Sequence, residues 1–116
     1  MQANRRTDPA ALLPLGAGAF HILLALADGD RHGYSISKEV EESTGGTVRL
    51  GPGTLYRLLK EMLANSWIVE IESDDADDAR RRNYRLTAWG RRIAQAEASR
   101  LDSLVRIARS RHLLPA

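Results

Sequence analysis

The side chains best suited to chemistry in this 116-residue chain lie in one stretch, Gly51 to Trp67, with the sequence GPGTLYRLLKEMLANSW. Arg57 and Lys60 carry fixed positive charge, and the hydroxyls of Thr54 and Tyr56 can donate hydrogen bonds. Their chemistry is therefore non-covalent recognition of a polyanion, by phosphate contacts that position and base contacts that specify. Leu55, Leu58, Leu59, Met62 and Leu63 recur at i, i+3, i+4, i+7 and i+8, the spacing of one buried helical stripe. Thr54, Arg57, Lys60, Glu61 and Ala64 fall on the opposite face, with Tyr56 on its flank. Pro52 suits the first helical position, which makes Gly51 the N-cap. Gly53 leaves the first-turn N–H groups uncovered, so a phosphate could approach the positive end of the helix dipole. The stretch reads as a DNA recognition helix.

No other chemistry has comparable support. The chain has no cysteine and three scattered histidines, and no serine or carboxylate stands beside a base in a recognisable motif, so an enzyme is not expected. Gly16 and Gly18 form a G-x-G with no preceding strand and no third glycine, which removes a dinucleotide site. His21 has no second ligand four residues away and reads as a packed or half-exposed helix residue. Asp74, Asp75, Asp77 and Asp78 lack the glycine and distal glutamate of a calcium loop and read as a solvated acidic turn. No metal and no cofactor are expected. The absence of an apolar run of ~20 residues argues against a membrane span, and the N-terminus has no apolar core of a signal peptide, so the expected location is the cytoplasm.

A hydrophobic fraction of 43% suffices for one modest core. The net charge of +2 conceals an asymmetry: residues 1–79 hold seven Lys/Arg against thirteen Asp/Glu, a balance of −6, and residues 80–116 hold ten Arg against two acids, a balance of +8. The C-terminal arginines are consistent either with a nucleic-acid surface or with a solvated helix face.

The elements that must position the recognition helix follow in order. Residues 1–14 form an N-terminal arm in which Arg5 and Arg6 could touch phosphate, with a helical turn from Pro9 to Leu13 interrupted by Pro14. A first helix spans Leu15 to Ala27 and a second Tyr34 to Thr44, separated by a turn, DGDRHG, and ended by Gly45 and Gly46. Thr47 to Leu50 alternate briefly before the Gly51 helix. The runs WIVEIES and RRRNYRLT then predict a β-hairpin, a wing, in which Arg80 and Arg82 point to one side and Arg81 to the other. Thr87 caps a last helix running to about Leu114. The predicted class is mainly α with a small hairpin: a winged helix-turn-helix over residues 15–87 and a C-terminal dimerisation helix over 88–116.

The motifs LLALADGDRHGYSISKEV, LGPGTLYRLLKEML and RRRNYRLTAWGRR, at these positions, resemble the PadR-like transcriptional regulators, from about Leu13 to Leu114. The short region after Thr87 is similar to the small subfamily with a single C-terminal helix. The resemblance implies a homodimer on a double-stranded DNA operator, usually a repressor, released by an effector or stress signal. By position it carries Gly33 and Tyr34 onto the family's Gly-Tyr, Gly53 to Tyr56 onto its Gly-Thr-Leu-Tyr, and Arg82, Tyr84, Leu86 and Thr87 onto the end of its wing. The sequence departs from the family at the wing tip, which is acidic where basic or Gly-rich tips are usual.

The expected DNA-contacting residues are thus Tyr34, Gly53, Thr54, Tyr56, Arg57, Lys60, Arg80, Arg81 and Arg82; Tyr34 could equally be a lid on the core. In the last helix Ala94, Leu101, Leu104, Val105 and Ala108 form an apolar stripe too long for one small domain to cover, which argues for a second copy. Trp67 and Trp89 read as packing residues where wing and last helix meet, or as a stacking platform for a planar effector. A winged helix that binds another protein instead of DNA is the rival from a different class.

Overall fold

The computed structural model describes residues 8–72 and 82–116. Helices α1 (Ala17–Leu26), α2 (Gly33–Ser43) and α3 (Pro52–Ala64) are followed by strands β2 (Ile68–Ile71) and β3 (Asn83–Leu86) and by the long helix α4 (Ala88–Ser110). Ile22, Leu23 and Leu26 of α1, Ile36 and Val40 of α2, Leu55, Leu59 and Met62 of α3, Ile68, Tyr84 and Ile93 converge in one buried cluster. The three apolar stripes read from the sequence therefore face one another, and removing them from water drives the assembly.

Local chemistry sets the helix ends. Gly51 and Pro52 begin α3 as expected, with no side-chain cap. Thr87 accepts a hydrogen bond from the Gly90 N–H at 2.9 Å and donates to the Ser66 carbonyl at 2.6 Å, so one hydroxyl caps α4 and holds the corner between α3 and β2. Helix α2 stops before Gly45 and Gly46, both left-handed. Residues 47–50 join no sheet; Thr44 braces them, accepting from the Val48 N–H at 3.1 Å, and Ser37 donates to the Leu50 carbonyl at 3.1 Å.

Two differences from the sequence reading concern the sheet and α4. The turn DGDRHG contributes a strand, β1 (Arg31–His32), so the hairpin is the larger part of a three-stranded antiparallel sheet in the order β1-β3-β2. A two-residue strand carries no periodicity, and its register comes from its partner: Arg31 faces Tyr84 and His32 faces Asn83. A bidentate ion pair of Arg85 with Asp30, at 2.8 and 3.0 Å, fastens the same edge. Helix α4 ends at Ser110 rather than Leu114, because His112 turns left-handed and the Leu113 N–H folds back onto the Ala108 carbonyl at 2.9 Å.

The first part of α4 belongs to the winged-helix domain. Gly90, Ile93 and Glu97 are buried in the winged-helix domain, and no α4 residue after Glu97 is buried. The 3-10 turn Pro9–Leu12 packs on α4, so residues 9–14 are part of the domain surface rather than a free arm. The Leu15 N–H then donates to the Glu97 carboxylate at 2.8 Å.

Candidate nucleic-acid interface

Helix α3 buries Leu55, Leu59 and Met62, which leaves Gly53, Thr54, Tyr56, Arg57, Lys60 and Glu61 on its exposed face. Arg57 lies 3.2 Å from Glu61 one turn on. Exposed pairs of this kind contribute only ~0–1 kcal/mol, so the guanidinium can exchange the carboxylate for a phosphate or base at little cost. The uncapped first turn of α3 points its N–H groups outward beside these donors.

The neighbouring surface comes from the start of α2. His32 caps that helix, its Nδ1 accepting from the Ser35 N–H at 3.2 Å, and its ring stacks on Tyr34 with centroids 6.4 Å apart. Tyr34 is 69% exposed, which decides against its being a core lid. Tyr56 lies over Gly33: a β-carbon there would come within 2.7 Å of the phenolic oxygen. The Gly33-Tyr34 pair thus does two jobs, one residue yielding space to α3 and the next presenting a second hydroxyl. Tyr84 is buried, and burial with Glu70 nearby pushes its hydroxyl above the ordinary value, keeping it a neutral phenol. Sequence reading noted the motif that Gly33 belongs to but missed its steric role, which only the approach of α2 and α3 reveals.

At the wing, Arg82 is exposed and pairs with Glu70 at 3.3 Å across the hairpin. Arg80, Arg81 and the aspartates at 74, 75, 77 and 78 lie outside the described residues. The two tryptophans have different recorded neighbours. Trp67 lines a groove of about 490 Å³ between residues 12–19 and α3, whose rim includes Thr54, Arg57 and Glu61. Trp89 is not among its lining residues and instead faces the Arg92 guanidinium, 5.4 Å from the ring centre. Both pack against the core, in line with the reading of them as packing residues.

Of the α4 stripe, Leu104 is 50% exposed and Val105 is also open, with Leu101 and Ala108 partly covered. Ala94 differs: it packs on the chain's own core and leaves the open stripe. Ile107, 51% exposed, is not in the expected stripe, although its place three residues after Leu104 puts it on the stripe's edge. Among the described residues no helix is long and apolar enough to cross a membrane.

Three helices around one core, a hairpin wing and a third helix bare on its outer side define a winged helix-turn-helix protein. The chain belongs to the transcriptional regulator PadR-like family, whose model matches residues 22–96. A PadR family transcription regulator from Clostridium difficile superposes with a TM-score of 0.72 at 26% identity, covering 82% of this chain and 97% of that one. Bacillus subtilis PadR, solved in complex with operator DNA, gives 0.61 at 23% identity over 76% of this chain and 48% of that one, a likeness of fold. An uncharacterized 37.1 kDa protein in transposon TN4556 of Streptomyces fradiae is 37% identical over 85% of this chain, which spans only 25% of that relative. A Lysinibacillus sphaericus protein, 30% identical over 60% of this chain, is matched over 64% of its own length.

Proposed function

We propose that the chain is a sequence-specific DNA-binding transcriptional regulator, a cytoplasmic homodimer that represses its target and lets go of the operator when an effector or stress signal arrives. The observation that carries this reading is the outer face of α3, where Thr54, Tyr56, Arg57 and Lys60 are exposed together beside an uncapped helix start. Family membership supports it, and so does the operator complex of the Bacillus relative. The uncovered apolar side chains of α4 support pairing with a second copy, which would set two recognition helices on half-sites about one helical turn apart, ~10 bp or a multiple. The groove beside Trp67 offers an effector a place that touches α3 directly.

A gel-shift titration with the DNA upstream of the chain's own gene tests the reading. Retarded complexes should weaken as salt rises, with log K falling by ~0.9 per log unit of salt for each phosphate contacted. No retardation at low salt, or binding indifferent to salt, would refute DNA recognition and favour the protein-interaction module.

A further inference from the structure

Glu97 is the one charged residue in the described core, 1% exposed. One carboxylate oxygen accepts from the Leu15 N–H at 2.8 Å, and the other from the Arg100 Nε at 2.5 Å. Burying a carboxylate carries a desolvation cost that an apolar side chain of similar size would avoid, so packing alone does not explain it. Its position is more informative. Glu97 is the last buried residue of α4, and the residues beyond it are exposed or only partly covered. It also holds Leu15, which with Leu12, Pro14 and Gly16 forms the wall of the groove opposite Arg57, Leu58 and Met62 of α3.

We propose that Glu97 is a positioning residue: its hydrogen bond from the Leu15 N–H ties α4 to the winged-helix domain, with Arg100 three residues on in the same helix holding the carboxylate in place, and this tie fixes the direction in which α4 leaves the domain and thereby the separation of the two recognition helices in the dimer. The proposal rests on the dimeric DNA-binding reading above. Its magnitude is sufficient. The thirteen residues of α4 after Glu97 make a lever of about 20 Å, so a tilt of about 10° at the clasp moves the far end by about 3.5 Å, close to the ~3.4 Å rise of one base pair. Two such errors, one per protomer, would put a half-site out of register.

The test measures the separation directly. The chain lacks cysteine, so Glu42→Cys on the exposed side of α2 accepts a single spin label, and double electron–electron resonance reads the distance between the two copies. In the otherwise wild-type dimer one narrow distance is expected. Glu97→Leu should broaden the distribution at least about twofold, and Glu97→Gln, which keeps an acceptor for Leu15 but loses the charge facing Arg100, should broaden it less. In parallel, on duplexes selected by the protein from a random pool, Glu97→Leu should lose most of the penalty for moving the half-sites apart by one base pair. Its affinity for a single half-site should stay within about twofold of wild type, which a merely weakened fold would not allow. A narrow distribution retained in both variants overturns the proposal while leaving the dimer intact. Absence of any inter-label distance in the parent overturns the dimer and the proposal with it. Loss of fold in both variants would make Glu97 a residue of folding alone, and that too overturns it.

Discussion

The backbone of Gly90 rests against the carbonyl of Trp67: a β-carbon at residue 90 would lie 2.0 Å from that oxygen and 2.9 Å from its carbon. The obstacle is main chain at the start of the wing, held in place by Thr87 bonds to the carbonyls of both Ser66 and Trp67. Neither side can move aside without opening the joint between α4 and the sheet. Gly90→Ala should therefore destabilise the domain by more than the ~1–3 kcal/mol usual for overpacking, visible as a lowered urea midpoint. A midpoint within error of wild type would show that the joint yields.

Gly33 makes the milder version of the same contact, because what it meets is the movable end of Tyr56. Gly33→Ala should displace the phenol and leave the core intact, so melting should change by only a few degrees. Operator affinity should fall to about that of Tyr56→Ala. In the double variant the two losses should fail to add, since the second change finds no ring to displace. Additive losses would separate Gly33 from the role assigned to it.

Leu104 and Ile107 are half exposed and lie beyond the last buried residue of α4. Replacing both by glutamate should leave secondary structure and single-half-site binding unchanged while shifting sedimentation to the monomer. A dimer that survives the exchange must be held by another surface. The shorter route, truncating before Arg100, would also remove the partner of Glu97, so the point variants give the cleaner answer.

The Arg100 guanidinium, aided by the Leu15 N–H and opposed by burial, holds the Glu97 carboxyl below its ordinary value of 4.5, and Arg85 does the same for Asp30. Both groups are depressed in the folded state. Their contribution is complete above the ordinary carboxylate range and is lost as the pH falls through the lower folded values. Thermal melts should be level from neutral pH to about 5 and decline below the ordinary Glu value of 4.5, with a shallower decline in Glu97→Gln. An equal decline in the variant would assign the acid sensitivity elsewhere.

Much of this architecture was legible because it rests on periodicity and caps. The stripe from Leu55 to Leu63, Pro52 at the head of α3 and Thr87 ahead of α4 each state their role within a few residues. Strand β1 and the Glu97 clasp were not legible for the complementary reason: each is defined by a partner far along the chain, Glu97 by Leu15 across 82 positions. In the interface, the donors of α3 could be read from their spacing, whereas the seat of Tyr56 over Gly33 needed the angle between two helices. Ala94 looked like part of an open stripe because a helical repeat does not say where one neighbour stops covering it.

Strand β1 has a kinetic consequence. Two residues between α1 and α2 have no sheet partner until β3 arrives, and the ion pair that seals the edge joins residues 55 apart. Closing so long a loop costs entropy before it returns any contact. The start of α2, with His32 and Tyr34, is thus fixed late, once the chain is complete through the wing. A half-made chain on the ribosome would hold α3 without its finished neighbour, and the surface would mature in a single late step. Pulse-labelled hydrogen exchange during refolding should find the Ser35 amide protected no earlier than that of Tyr84; earlier protection would mean that α2 sets its own start without the sheet.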